Sequence, residues 1–436
     1  MKKISQHFDH FRPAGIQVIT EEHAIFIPMV SLEKIAHLAD DCRFDSIGPP
    51  AAAAIDPEKL RRLGEGTRHD VCASTFSPRE RPLPGICHAF TQDGRCVSLF
   101  KTLYTNHCTH QCSYCTNASG CSKKAKAFSY TPEELARITT SLYRGNYIEG
   151  LFLSSGSGRD EESIMEDMIE TVRLLREQWA FSGYIHLKVL PGASQQHIQE
   201  AMMLADRVSI NLEAASASHL SEICTTKDYE RDIVQRQRYI RDFAAGCRED
   251  SALPGMGRLL PAGQTTQLVV GAAGESDEEI LQRIVYEYRE IGLRRAYYSA
   301  FSPQAGTALE GSSPQPLWRE RRLYQMDWLL RVYRFRPEEI RRAFDEGGFL
   351  PNSDPKASIA RQLLDGPLDP NAATYEELLR IPGIGPKSAQ RIMALRKIRP
   401  IASRSQIADL GVRIRRASPF LEINGWRDST LEMWSD

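Results

Sequence analysis

The stretch that decides the fold is Cys108-Thr109-His110-Gln111-Cys112-Ser113-Tyr114-Cys115, in which three cysteines have the spacing C-x3-C-x2-C. It directly follows a β-rich apolar run at residues 97–105. Three thiolates on one short loop can bind three irons of a cubane cluster, whereas electron-transfer clusters usually have four cysteine ligands. The triad therefore predicts a [4Fe–4S] cluster with one open iron, placed at the end of a strand.

The sequence around the triad alternates between strand and helix patterns. Short β-rich runs lie at residues 97–105, 149–154, 184–190, 207–213, 266–271 and 295–301. Amphipathic segments with helical spacing lie between them, at residues 132–144, 161–178, 195–205, 228–245 and 276–291. Six strands that alternate with helices predict an α/β fold with a parallel sheet or partial barrel. In such folds the chemistry lies at the C-terminal ends of the strands.

Composition excludes several classes of protein. Of 436 residues, 42% are hydrophobic and 25% are charged, so the chain is not dominantly disordered. No apolar run approaches the roughly 20 residues of a membrane span, and no apolar core follows the two N-terminal lysines, so we expect no membrane association and a cytoplasmic location. Seven of the ten cysteines lie between residues 72 and 121. In a reducing compartment this clustering points to metal or redox chemistry.

Changes of pattern divide the chain into four parts. We predict an N-terminal extension over residues 1–56 and a partial barrel over 57–335. A connector rich in proline and aspartate follows over 336–365, and a small all-α domain occupies 366–436.

Residues 379–392 of the small domain resemble the helix-hairpin-helix motif of many DNA repair and recombination proteins. Gly383 and Gly385 would permit the tight hairpin, and Lys387 and Arg391 would lie one turn apart on its second helix. The segment from Arg380 to Arg416 contains ten basic residues and one acid, Asp409, a net +9 in a chain of −1. These features predict contact with a phosphate backbone, DNA above all. The alternative is a hairpin that binds protein or is purely structural.

The triad in its strand context resembles the radical SAM superfamily, whose signature has an aromatic residue before the last cysteine, here Tyr114. The resemblance implies a partial (β/α)6 barrel, a [4Fe–4S] cluster on Cys108, Cys112 and Cys115, and S-adenosylmethionine (SAM) bound at the open iron. It implies a SAM site at other strand ends, made of Tyr114, Ser154, Ser155, Gly156, Asn211, Glu213, Gly271 and Tyr298, with Tyr297 as the alternative to Tyr298. The usual Gly-Gly-Glu segment is absent after the second strand.

Other cysteines leave alternatives open. A structural zinc site would use the triad together with Cys121. Cys72, Cys87 and Cys96 are widely spaced for a second cluster, and Cys87 or Cys96 is a candidate donor of a hydrogen atom to a substrate radical. Lys188 interrupts an apolar strand, and its side chain points either to solvent or into the barrel mouth.

Residues 57–425 resemble more closely a family of DNA modification and repair radical SAM proteins, on the segments 94–99, 146–156, 183–188, 297–301 and 322–330. The resemblance implies an enzyme that generates a 5′-deoxyadenosyl radical to modify or repair DNA. It implies a flavodoxin- or ferredoxin-type electron donor and a uracil-DNA glycosylase-like partner. The alternatives are a radical SAM enzyme acting on RNA such as tRNA, one acting on a protein or small molecule, and a zinc-stabilised DNA-binding protein without activity.

Overall fold

The computed structural model describes residues 56–67, 85–90, 96–124, 126–158, 160–249 and 259–427. The predicted N-terminal extension lies outside these residues, apart from Asp56. Within them, no helix is long and apolar enough to cross a membrane.

One seven-stranded sheet organises the larger part of the chain, with the strands in sequential order. The strands are β1 (Ile86–Phe90), β2 (Cys96–Leu103), β3 (Gly150–Ser154), β4 (Tyr184–Lys188), β5 (Arg207–Ser209), β6 (Gly263–Val270) and β7 (Arg295–Ala300). Strands β2 to β7 are parallel and correspond to the six predicted strands. The antiparallel edge strand β1 was not predicted.

Helices cover the outer face of the sheet. They are α1 (Pro57–Gly66), α2 (Pro132–Arg144), α3 (Glu161–Arg173), α4 (Gln195–Leu204), α5 (Ala217–Ile223), α6 (Gln235–Glu249), α7 (Asp277–Tyr286) and α8 (Leu317–Arg331). Turns of π-helix at Leu174–Gln178, Tyr229–Val234 and Glu287–Ile291 adjoin α3, α6 and α7. Helix α2 has its predicted start, where Thr131 and Glu134 form a reciprocal capping box. The predicted α/β partial barrel is confirmed.

The two faces of the parallel strands differ in chemistry. Outward residues such as Leu151, Ile185 and Leu268 are completely buried under the helices. Inward residues include polar groups, and the buried His186 ring nitrogen Nε2 lies 2.8 Å from Ser209 Oγ. Because successive residues of a strand point to opposite faces, this alternation gives the barrel a polar interior.

The segment after β7 runs back to the cysteine loop. Leu309 N–H donates to Ser113 O at 3.1 Å, and Ser122 N–H donates to Gly306 O at 2.8 Å. Gly306 has φ +83°, and a Cβ there would lie 2.7 Å from the backbone nitrogen of Lys123, so a side chain would obstruct this contact. The last strand is thus joined to the loop of the first parallel strand across the mouth of the barrel.

The predicted connector is a structural element with two helices, α9 (Pro337–Arg341) and α10 (Pro355–Leu363). Ile359 of α10 belongs to the barrel core, while its neighbour Ala360 belongs to a second core formed by residues up to Ile423. Helix α10 is therefore a wall shared by both hydrophobic cores.

The second core holds the four helices of the C-terminal region, α11 (Tyr375–Arg380), α12 (Pro386–Arg396), α13 (Arg404–Asp409) and α14 (Ile414–Ala417). Gly383 and Gly411 form the two hairpin turns with φ of +87° and +83°. The turns contact each other, because Arg413 N–H donates to Gly383 O at 3.0 Å and Ser388 Oγ donates to Gly411 O at 3.0 Å.

Two buried cations attach this helical region to the barrel. The Arg380 guanidinium donates to both carboxylate oxygens of Glu339 at 2.8–3.0 Å. The Lys356 amine donates to Ile384 O at 2.6 Å and lies 4.4 Å from the centroid of the Tyr333 ring. Arg380 therefore belongs to the interior, although its sequence context placed it in the basic segment.

The buried Lys356 predicts a dependence of stability on pH. Burial, with the nearby Arg380 charge, lowers its pKa to about 7, against about 10.4 in an unfolded chain. Between these values the unfolded chain binds more protons, so the free energy of unfolding rises as the pH rises from about 7 to about 10. Below about 7 both states are protonated and this contribution is constant.

We expect the difference in unfolding free energy between wild type and Lys356→Met to increase over that window, by up to about 1.4 kcal/mol per pH unit. Urea unfolding of both proteins at a series of pH values measures it. A difference that stays constant with pH would contradict the assignment.

Candidate active site

A cavity opens at the C-terminal ends of the parallel strands, where the sequence predicted the chemistry. All three triad cysteines line it: Cys108, Cys112 and Cys115. The cysteine loop follows β2 and packs on the end of α5, where Ser113 N–H donates to Ile223 O at 2.8 Å. His110, inside the triad, is fixed from two sides by Thr226 Oγ1 at 3.0 Å and Glu161 Oε1 at 2.6 Å.

A close backbone contact connects the cysteine loop to the end of β3. Gly156 N–H donates to Thr105 O at 2.8 Å, and Gly158 N–H donates to His107 O at 3.0 Å. A Cβ on Gly156 would lie 2.3 Å from the carbonyl oxygen of His107, so only glycine fits at this position without a shift of the backbone. Ser157 beside it places its hydroxyl oxygen 3.3 Å from Cys108 Sγ.

Cys112 is a buried thiol, and Cys108 and Cys115 are half-buried. Burial raises the pKa of Cys115 to about 11. The hydrogen bond from Cys112 Sγ to Cys224 Sγ, 3.4 Å long, and burial raise the pKa of Cys112. Because metals bind the thiolate, a metal at this loop must displace these protons and supply the compensating positive charge.

The donor set fits an iron–sulfur cluster better than a single metal ion. In the described part of the chain, no three His, Cys, Asp or Glu side chains come close enough to hold one ion. A structural zinc requires four ligands, with sulfurs at about 2.3 Å from the metal. In a cubane cluster each thiolate binds a different iron, so the cysteines stand further apart. Cys121, the predicted fourth zinc ligand, is buried and does not line the cavity.

A charged pair lines the same cavity as the triad. Lys227 Nζ donates to Glu213 Oε1 at 3.2 Å, and Asn211 Nδ2 lies 3.4 Å from Glu213 Oε2. Burial alone would raise the pKa of Glu213, but Lys227 and Lys188 lower it below its ordinary value. Burial likewise opposes the charge on Lys227, but the neighbouring Cys112 and Glu213 raise its pKa. The cavity thus presents a carboxylate and an ammonium group.

Glu213 also has an unusual backbone. Its φ is +65°, a conformation that costs about 1–3 kcal/mol in a residue with a side chain. It is held there by hydrogen bonds to β6, from its N–H to Gln267 O and from Val269 N–H to its own carbonyl oxygen. The neighbouring strand therefore fixes this carboxylate at the cavity wall.

Six of the eight predicted SAM-site residues line the cavity, namely Tyr114, Ser154, Ser155, Gly156, Asn211 and Glu213. Lys188 lines it as well, so its side chain belongs to the barrel mouth. Their role toward SAM stays a prediction.

Gly271 and Tyr298 do not line the cavity. Tyr298 is completely buried on the outer face of β7, with its ring centroid 5.1 Å from that of Tyr324. Its neighbour Ser299 lines the cavity instead, because adjacent residues of a strand point to opposite faces. The alternative, Tyr297, lies deeper in the interior, where its hydroxyl accepts from Arg207 Nη1 at 3.2 Å. Gly271 turns toward the helices, and a Cβ there would meet Gln315 at 2.4 Å.

The hydrogen-donor candidates are not brought to the cavity within the described residues. Cys87 pairs with Leu99 at the edge of the sheet and packs against it there, four residues before the cavity residue Leu103. The side chain of Cys96, like the whole of Cys72, lies outside the described residues.

Sequence reasoning missed Lys227 and Gln267 in the cavity wall. Gln267 was detectable, because a polar residue interrupts the apolar end of its strand. Lys227 lies in a loop far along the chain from the triad, and no local pattern marks it.

Comparisons with known proteins match two parts of the chain. The family described as Radical SAM superfamily matches residues 102–284, and the Helix-hairpin-helix motif matches residues 371–395. The chain contains a radical SAM domain. Proteins of this superfamily are enzymes that use a [4Fe–4S] cluster and SAM, and the triad and cavity lie within or beside the matched residues. No curated protein matches the sequence.

Three solved structures are distantly similar to this chain. HydG, a maturase of the [FeFe]-hydrogenase, is 9% identical over 53% of this chain and 49% of its own, with a TM-score of 0.40. Methylornithine synthase (PylB) is 14% identical over 65% and 67%, with a TM-score of 0.39. The methyltransferase TsrM from Kitasatospora setae, with cobalamin and a [4Fe-4S] cluster bound, is 11% identical over 68% and 60%, with a TM-score of 0.35. The chain thus spans about half the length of HydG.

The contact at Gly156 predicts a sensitive position. Gly156→Ala should displace the cysteine loop, because the added methyl group meets the His107 carbonyl oxygen at 2.3 Å. We expect iron and sulfide content after anaerobic reconstitution to fall well below wild type, with a loss of about 1–3 kcal/mol in the free energy of unfolding. Gly120→Ala is the matched control, since no atom lies within 4 Å of a Cβ there. Equal iron content in the two variants would show that the contact does not position the loop.

Proposed function

We propose that the protein is a radical SAM enzyme that modifies or repairs nucleic acid, most of all DNA. The observation that carries the proposal is the joining, in one chain, of a cysteine-lined barrel cavity to a helix-hairpin-helix with exposed basic residues. The finer proposal is membership of the DNA modification and repair family, which the sequence resembles. The cavity would perform the chemistry, and the hairpin would hold the polynucleotide.

In the cavity, Cys108, Cys112 and Cys115 would hold the cluster. When bound, the cluster and SAM supply a one-electron cleavage that yields a 5′-deoxyadenosyl radical able to abstract a hydrogen atom. Gly156 permits the backbone to approach closely, and Ser154 and Ser155 offer hydroxyl groups at the same strand end. The opposite charges of Glu213 and Lys227 match the charged amino and carboxylate groups of an amino-acid ligand. The segment that joins β7 to the cysteine loop would help to exclude water.

At the hairpin, four predicted residues support contact with phosphate. Gly383 forms the turn, and Gly385 is the N-cap of α12, where backbone N–H groups have no partner within the helix. Lys387 and Arg391 are exposed one turn apart on α12. Such contacts position a strand without reading its sequence. A duplex target would need flipping or distortion to reach a barrel cavity.

We propose one partner from the chemistry and one from the family resemblance. A flavodoxin- or ferredoxin-type protein would deliver the electron, and a uracil-DNA glycosylase-like protein would act on the same nucleic acid. We place the protein in the cytoplasm, because seven cysteines are free thiols within the described residues.

The first prediction separates a cluster from a zinc site. Cys112→Ala should abolish broad absorbance near ~400 nm after anaerobic reconstitution, expected for thiolate-bound [4Fe–4S] iron, and all SAM cleavage. Cys121→Ala should keep both, because Cys121 does not line the cavity. Loss of bound metal in both variants, with zinc as the metal found, would favour the zinc alternative.

A second prediction separates the two functional regions. The double variant Lys387→Ala with Arg391→Ala should cleave SAM as wild type does, since both residues lie on the hairpin outside the barrel cavity. It should bind DNA more weakly, with a salt dependence of binding that is shallower by about two phosphate contacts. Matched DNA and RNA duplexes titrated across salt measure this. If the protein binds RNA more strongly than DNA, RNA becomes the proposed substrate in place of DNA. If the double variant binds as wild type does, the phosphate assignment is refuted.

The experiment that tests the function itself is anaerobic incubation of the reconstituted protein with SAM, a reductant and DNA, followed by mass analysis of the nucleosides. A new nucleoside that depends on Cys112 supports the proposal. If the radical forms but no nucleoside of DNA or RNA is altered, the substrate is instead a protein or a small molecule.

A further inference from the structure

A second cavity lies at the junction of the barrel and the helical region, away from the cysteine-lined one. It has a volume of about 290 Å³ and lies between α8, α10 and α14. Its size is at the lower end of the range for small-molecule pockets, which suits a group such as one base with its sugar. It shares no lining residue with the cysteine-lined cavity, so the two cavities are distinct.

The wall of this junction cavity combines aromatic rings with cations. Trp328 and Tyr333 contribute rings, and Lys356 and Arg416 contribute positive charge. Trp328 is 43% exposed, and its indole forms no hydrogen bond or ring contact with another residue in the described ranges. An exposed ring beside cations is the arrangement with which proteins stack nucleobases.

The acids of the same wall are already engaged. Asp327 accepts from Arg331 Nη2 at 2.8 Å, and Asp354 forms an ion pair with Arg416. Arg295 adds a further cation to the wall. Three basic residues and two paired acids line the cavity, so its wall favours an anionic group, such as the phosphates on either side of a bound base, most strongly when Lys356 is protonated.

The junction cavity is continuous with the hairpin. Lys356 lines the cavity and donates to the carbonyl oxygen of Ile384, which lies between Gly383 and Gly385. The Tyr333 hydroxyl lies 3.2 Å from where a Cβ on Gly385 would be. Gly385 begins the helix whose N-terminus would receive a phosphate, so a nucleotide held there would lie beside Tyr333, which lines the junction cavity together with Trp328.

We infer that the junction cavity receives an unstacked nucleobase of the strand whose phosphate the hairpin holds, with Trp328 as the stacking surface. The inference rests on the proposed nucleic-acid function and adds a preference to it. A base enters such a cavity only when it is unpaired, so the protein binds single-stranded or locally opened nucleic acid more tightly than intact duplex.

The test measures fluorescence anisotropy of a labelled single strand, and of the same strand in a duplex, with the full chain. Trp328→Ala should weaken binding of the single strand about fivefold or more, because stacking on one base contributes about 1–3 kcal/mol. Duplex binding should stay nearly unchanged. Trp328→Phe, which keeps a ring, should retain most of the affinity. Leu317→Ala is the matched control, because Leu317 is 65% exposed on the same helix and does not line the cavity.

A single strand made of abasic nucleotides completes the experiment. Wild type and Trp328→Ala should bind it equally, since it offers phosphates without bases. The inference is overturned if Trp328→Ala weakens neither strand, weakens the single strand and duplex alike, or weakens the abasic strand. Failure of wild type to bind any of the three would instead overturn the proposed function, because the hairpin contact itself would then be absent.

Discussion

The backbone contact between Gly156 and His107 is the constraint on which the site depends. It joins the loop after β2 to the end of β3 at a distance that no side chain allows. The cysteine loop consequently has its position fixed by the sheet and not by its own short sequence. The opposite side of the loop is fixed by Ile223 and Thr226 and by the segment after β7. Contacts from the end of β3, the end of α5 and the segment after β7 therefore hold one loop.

A second constraint operates at the other side of the molecule, where buried cations join the helical region to the barrel. Arg380 forms charge-assisted hydrogen bonds with Glu339, and both side chains are nearly inaccessible. Removing one partner of such a pair leaves an uncompensated charge in the interior, at a cost of about 3–5 kcal/mol. Together with helix α10, whose residues enter both cores, the pair makes the orientation of the hairpin relative to the barrel specific.

Much of this architecture could be predicted from sequence, because periodicity and spacing are local properties. The helix at residues 132–144 has its predicted bounds, and the triad cysteines line one cavity. The features that sequence did not reveal depend on contacts between distant residues. Two adjacent tyrosines in β7 do not reveal which one faces inward, and Tyr298 faces outward. Lys227 reaches Glu213 through the fold alone. The connector is punctuated by proline and aspartate, but these residues begin its helices: Pro337 and Pro355 occupy first turns, and Asp354 caps α10.

In the C-terminal segment, the net charge summed over the sequence differs from the charge that is free on the surface. The segment from Arg380 to Arg416 carries a net charge of +9. Within it, Arg380 forms an ion pair with Glu339, and Arg416 forms one with Asp354 at the junction cavity. Two of the ten basic residues are therefore engaged in ion pairs, whereas Lys387 and Arg391 are exposed on α12. The two diverted arginines are not lost to function, however. Each lies where the helical region meets the barrel, so their ion pairs help to fix the orientation of the hairpin.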